Sequence, residues 1–132
     1  MDALDTNVLV RYLVDDDVQQ GAQAAALIQA SDRRRRKLYV SDVVMAELAW
    51  VLEEAYGFTR MEIAGAARAV LSSRVFSFRD KARLARAVSD FESGGADLSD
   101  YLIRREAESA GAGRLFTFDR KLSREPGCAV PR

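Results

Sequence analysis

Leu38-Tyr39-Val40-Ser41-Asp42-Val43-Val44-Met45-Ala46-Glu47-Leu48 is the stretch that decides the fold. Three apolar residues stop at a serine and an aspartate, and apolar side chains then recur at helical spacing through Val44, Leu48, Leu52 and Ala55. A strand this short and uniformly apolar is a buried one. Ser41 or Asp42 caps the helix that follows, and Gly57 ends it. The same unit recurs in both directions along the chain. Upstream, residues 1–4 read as a buried strand ending at Asp5, with a helix over 7–13. Asp15-Asp16-Asp17 breaks that helix and suits the start of another over about 18–30. Downstream, Thr59-Arg60-Met61-Glu62 is a capping box opening a helix to about residue 72. Residues 75–78 form a third strand, 80–91 a helix, and Ser99 or Asp97 caps a helix running to residue 110, which Gly111-Ala112-Gly113 terminates. Residues 114–118 are a fourth strand, 119–123 one helical turn, and 128–130 a last edge strand. Strands alternating with helices in this way specify an α/β fold with a mainly parallel sheet covered on both faces. Only Ser93-Gly94-Gly95 looks flexible, so residues 1–132 are expected to form a single domain.

The residue inventory narrows the chemistry. The 132 residues include 20 Lys plus Arg and 20 Asp plus Glu, so the net charge is zero and a globally basic nucleic-acid binder is excluded. There is no histidine, which excludes histidine bases, serine–histidine triads and histidine metal sites. One cysteine, Cys128, can form neither an internal disulfide nor a thiolate cluster. One cysteine, no signal-like N-terminus and no membrane-length apolar run together lead us to expect a cytoplasmic protein.

In parallel α/β sheets the ligand site lies beyond the carboxyl ends of the strands. Asp5 and Asp119 directly follow strands, Glu47 lies about two turns into the helix after the second strand, and Asp97 and Asp100 open the helix before the fourth. Taken singly, each aspartate also suits a helix cap. Glu47 is different, because it interrupts an otherwise apolar helix. Together the acids would repel one another unless some stay protonated or a cation joins them. With only hard oxygen donors, that cation is expected to be Mg²⁺ or Mn²⁺, the equipment for hydrolysing phosphodiesters.

At this point four motifs resemble those of PIN-domain nucleases: Leu4-Asp5-Thr6-Asn7-Val8-Leu9-Val10, Ser41-Asp42-Val43-Val44-Met45-Ala46-Glu47-Leu48, Ala96-Asp97-Leu98-Ser99-Asp100-Tyr101-Leu102-Ile103 and Phe116-Thr117-Phe118-Asp119-Arg120-Lys121-Leu122. They span nearly the whole chain in the family's order. The compact layout is most similar to the toxins of bacterial VapBC toxin–antitoxin pairs. The resemblance implies a PIN-like three-layer α/β/α fold and a Mg²⁺- or Mn²⁺-dependent endoribonuclease leaving 5′-phosphate and 3′-hydroxyl ends by attack of metal-activated water. It puts the catalytic and metal-binding acids at Asp5, Glu47, Asp100 and Asp119, with Asp97 as an additional ligand. Thr6, Asn7 and Ser41 match positions that hydrogen-bond the ligand carboxylates. It also implies a homodimer and a cognate antitoxin partner. The third motif departs from the family pattern: Tyr101 is bulky, and Arg104-Arg105 replace a small, alanine-rich stretch.

Arg33-Arg34-Arg35-Arg36-Lys37 is the one dense basic run, either a solvated loop or a contact to RNA phosphates. Arg104, Arg105, Arg114, Arg120 and Lys121 fall nearer the expected site. Trp50, Tyr56, Phe58, Phe76, Phe78, Phe91, Phe116 and Phe118 read as core, with Trp50 and Leu13 as alternative interface residues. Three other readings compete, one of them an inactive interaction module that keeps the fold, against which the intact set of Asp5, Glu47, Asp100 and Asp119 argues. A haloacid-dehalogenase-like phosphatase wants a second acid two residues after Asp5, where Asn7 stands. A phospho-receiver domain wants an acidic pair after the first strand, where Asp5 stands alone, and an Asp directly after the middle strand, where Asp80 is displaced.

Overall fold

The Leu38–Tyr39 strand and the helix behind it form as their sequence dictates. In the computed structural model, which describes all 132 residues, Ser41 and not Asp42 is the N-cap. Its hydroxyl accepts from the Val44 N–H at 3.1 Å, satisfying one of the donors a helix start leaves open. The chain separates into two compact units, Met1–Lys81 and Ala82–Arg132.

The first unit runs β1 (Asp2–Ala3), α1 (Thr6–Leu13), α2 (Val18–Arg33), β2 (Leu38–Tyr39), α3 (Asp42–Glu54), α4 (Arg60–Ser72) and β3 (Phe76–Ser77). The strands make a parallel sheet in the order β1-β2-β3, with Asp2 opposite Leu38 and Leu38 opposite Phe76. The ladder continues past β2 as the Val40 N–H donates to the Ser77 carbonyl at 2.9 Å. α1 packs on α2 and α3, and α3 on α4. Leu9, Leu38, Val40, Met45, Leu48 and Leu52 are fully buried. Asp5, Asp17, Ser41 and Thr59 cap the four helices with their side chains, and Thr59 with Glu62 completes the expected capping box.

The second unit contains all but the first residue of α5 (Lys81–Ser93), then α6 (Leu98–Ser109), β4 (Leu115–Phe116), α7 (Arg120–Ser123) and β5 (Cys128–Ala129). β4 and β5 pair in parallel, Leu115 opposite Cys128 and Phe116 opposite Ala129. Asp97 and not Ser99 is the N-cap of α6. Leu84, Ala87, Val88, Leu98 and Tyr101 are fully buried.

Several expectations need correction. The residues of β1 are exposed, and of residues 1–4 only Leu4 is buried, because β1 is an edge of its sheet and carries the polar Asp2. α2 extends to Arg33, so the basic run starts on the helix and not in a loop. Trp50, Phe116 and Phe118 are exposed, at 64%, 53% and 81%, and so are not core. Phe76 and Phe91 are buried as expected.

Candidate active site

In the first unit the acids follow the carboxyl ends of the strands. Asp5 comes two residues after β1 and caps α1, its Oδ1 accepting from the Thr6 N–H at 2.8 Å. Thr6 is buried, with 3% of its surface exposed. Its hydroxyl donates to Glu47 Oε2 at 3.3 Å, tying the start of α1 to the second turn of α3. A hydroxyl that has lost its water needs such a partner. Thr6 thus holds Glu47 beside the residue that Asp5 caps, while Asp5 and Glu47 stay solvent-exposed. Ser41 and Asn7 behave differently. The Ser41 hydroxyl is engaged as the α3 cap, and Asn7 faces a shallow concavity with Val8, Arg11 and Gln20.

In the second unit three acids share one cleft. Asp97, Asp100 and Asp119 line a depression of about 250 Å³ with Ala96, Arg120 and Lys121. Asp100 is the third residue of α6, and its Oδ2 accepts from the Asp97 N–H at 3.1 Å. Asp119 caps α7, with its Oδ1 accepting from the Leu122 N–H at 2.8 Å. Burial pushes the Asp100 carboxyl above its ordinary range; the Asp97 N–H opposes this, and the charges of Asp97 and Asp119 add to it.

Within either unit, no three acids or thiols converge closely enough to cage a metal ion. An all-protein cage of the calcium type is therefore not built. The donor set does fit Mg²⁺, which is held by one or two carboxylates and keeps several waters and an open face. The Cys128 thiol is no soft alternative, since burial holds it above its ordinary pKa range.

The departures within the third motif prove to be a scaffold for this cleft. The Tyr101 hydroxyl accepts from the Ala96 N–H at 3.3 Å and donates to Glu125 Oε1 at 2.5 Å. It thereby ties the entrance of α6 to the turn that follows α7. Arg104 reaches Asp90 at 3.3 Å and Glu125 at 3.6 Å, and Arg105 makes a two-pronged pair with Asp90 at 2.7 and 2.9 Å. Arg104 was a candidate RNA contact; its guanidinium is instead committed to this network, with 12% side-chain exposure. Gly94 belongs to the same construction, because a Cβ there would lie 1.8 Å from the Tyr101 hydroxyl oxygen. The signal in the sequence for this role of Tyr101 is a large polar aromatic set beside apolar helix positions, which buries only with a partner.

The basic residues fall into two groups. Arg120 and Lys121 are on the rim of the carboxylate cleft and are exposed. Arg35, Arg36 and Lys37 join Arg74 around a separate concavity of about 300 Å³. That one lies at the amino ends of β2 and β3, since Lys37 precedes Leu38 and Val75 precedes Phe76. In a parallel sheet this edge is opposite the one that Asp5 and Ser41 follow.

A family model described as "PIN domain" matches residues 3–126. The chain is also similar to a "VapC ribonuclease" of Aquifex aeolicus (strain VF5), 23% identical over 124 residues that cover 94% of this chain and 91% of the relative. With a family match over almost the full length, and the motif acids at strand ends and helix starts, the chain belongs to the PIN-domain family.

Proposed function

We propose that the protein is a divalent-metal-dependent endoribonuclease, the toxin of a toxin–antitoxin pair. The observation that supports it most is the cleft where Asp97, Asp100 and Asp119 meet the cations Arg120 and Lys121. Carboxylates that repel each other, edged by cations, suit a phosphodiester bridged by metal better than any neutral ligand. Kinship with a VapC ribonuclease supports the choice of RNA and of an antitoxin partner. We also propose a homodimer, on the family resemblance of the four motifs alone, and the single Cys128 supports a reducing, cytoplasmic setting. No helix is long and apolar enough to cross a membrane.

In this reading Asp100 and Asp119 hold the cation, Asp97 supports them, and Asp5 and Glu47 are the catalytic acids of the first unit. Bound Mg²⁺ or Mn²⁺ supplies an acidified water and offsets charge on the phosphate and the leaving 3′-oxygen. The chain's own residues do the rest. Thr6 fixes the rotamer of Glu47, the α6 entrance fixes Asp100, and Arg120 and Lys121 attract the substrate's phosphates. Incubating the protein with single-stranded RNA in Mn²⁺ should yield fragments with 5′-phosphate and 3′-hydroxyl ends, and none in chelator. Fragments ending in 2′,3′-cyclic phosphate, or cleavage that persists in chelator, would show that the RNA's own 2′-hydroxyl is the nucleophile and contradict the proposal.

A further inference from the structure

Residues 114–118 read Arg-Leu-Phe-Thr-Phe, and an extended chain sends alternate side chains to opposite sides. Exposure follows that alternation. Phe118 is 81% exposed and Phe116 53%, whereas Leu115 and Thr117 are half-buried. The segment is held extended by hydrogen bonds from the Leu115 N–H to the Gly127 carbonyl at 2.8 Å and from the Thr117 N–H to the Ala129 carbonyl at 2.9 Å. Phe116 on β4 and Phe118, in the bend two residues beyond it, are two large aromatic rings left in water, and they mark a binding surface. Their surroundings state its chemistry. The Arg114 guanidinium lies 5.0 Å from the Phe116 ring centre. Arg114 and Arg132 line the concavity that contains Phe116, with Ala129, Val130 and Pro131 and without an acid. At the other end Phe118 runs directly into Asp119, so the strip ends at the carboxylate cleft with Arg120 and Lys121 on its rim.

We infer that, given the ribonuclease reading above, Phe116 and Phe118 form a base-stacking platform that feeds single-stranded RNA into the Asp119 cleft. Arg114 and Arg132 contact the phosphates between the stacked bases. Aromatic faces beside cations are the recognition chemistry of unpaired nucleotides, since every base offers a π-face. A duplex keeps those faces in its own stack and cannot use them. A second copy of this chain is the weaker occupant, because the concavity carries two cations and no acid, so a self-complementary patch offers Arg114 and Arg132 no opposite charge.

The test measures affinity of the full-length protein for a fluorescein-labelled 12-nucleotide oligouridylate in chelator, by anisotropy, and for the same strand annealed to oligoadenylate. Phe118→Ala and Phe116→Ala should each weaken single-strand binding about 5- to 100-fold. Phe118→Leu should weaken it nearly as much, Phe118→Trp should restore it, and duplex affinity should not change across the series. Melting curves check that the variants fold. The inference is overturned if Phe118→Leu binds like the parent, if neither alanine variant changes affinity, or if the variants alter only the sedimentation coefficient, which would make the strip a copy interface. Cleavage in Mn²⁺ is scored separately. RNA cut normally with no dependence on the phenylalanines sinks the inference and leaves the nuclease; phenylalanine-dependent binding without any cleavage sinks the nuclease and leaves the platform. Absence of single-strand binding by the parent protein sinks the platform outright.

Discussion

Asp100 takes up an unfavourable position. Burial, and the neighbouring charges of Asp97 and Asp119, hold its carboxyl above the ordinary range. The folded protein therefore binds this proton more tightly than the unfolded chain does. Stability falls as pH rises from the ordinary carboxylate pKa, near 4, to the raised one, and above that the penalty is complete. Asp100→Asn removes the charge but keeps an oxygen that can accept from the Asp97 N–H. The metal-free variant should melt at a higher temperature than the parent at pH 7, with the gap closing below about pH 4. Circular dichroism melts in chelator test this, and a variant that melts at or below the parent's temperature at pH 7 would contradict it. The acids themselves were legible in the sequence, because Asp5 and Asp119 follow strands and Asp97 and Asp100 open a helix. The bond from Thr6 to Glu47 was anticipated in kind, through family likeness. The Tyr101–Glu125–Arg104 network was not, because it joins residues up to 24 apart whose pairing no local pattern announces.

At the scale of elements, helix starts were readable wherever a side chain caps its own helix, since capping spans only three residues. The end of α2 shows what such local reading misses. Arg34 is its last, half-in residue, Arg35 adopts φ 54°, and the Arg35 and Arg36 N–H groups donate to the Asp32 and Ser31 carbonyls. This is a Schellman ending with arginine where glycine is usual. Asp32 also pairs with Arg74 at 2.9 Å. Left-handed backbone costs a side-chain-bearing residue about 1–2 kcal/mol, against which glycine gives back about 0.5–1 in entropy. Arg35→Gly should therefore stabilise the protein by about 0.5–1 kcal/mol in urea unfolding; a destabilised variant would show that the Arg35 side chain contributes more than its backbone costs. Strand lengths and faces were the least legible elements. An apolar run such as Leu115-Phe116 looks buried from its composition, yet only the partner strand and the coverage of each face decide which rings are hidden.

For the molecule as a whole, zero net charge conceals a separation of charge. In the first unit the basic concavity of Arg35, Arg36, Lys37 and Arg74 is at the amino edge of the sheet, and Asp5 follows the carboxyl edge. If that concavity contacts RNA, it does so away from Asp5 and Glu47 and adds affinity without touching chemistry. Replacing Arg33, Arg34, Arg35 and Arg36 with glutamine should then flatten the salt dependence of single-strand binding by about 0.7 in log–log slope per lost phosphate contact. An unchanged slope would leave the run as a solvated helix end. The fold class was readable because alternating strands and helices leave few topologies open, whereas the number of residues in each sheet and the exposure of β1 depend on pairing between distant segments.

Asp5 of the first unit and Asp100 of the second are each expected to be required for metal-dependent RNA cleavage. The most direct test is the initial rate of RNA cleavage in Mn²⁺ for Asp5→Asn and Asp100→Asn, both confirmed folded. Each variant should lose at least about 100-fold. A wild-type rate in either variant would contradict the nuclease reading.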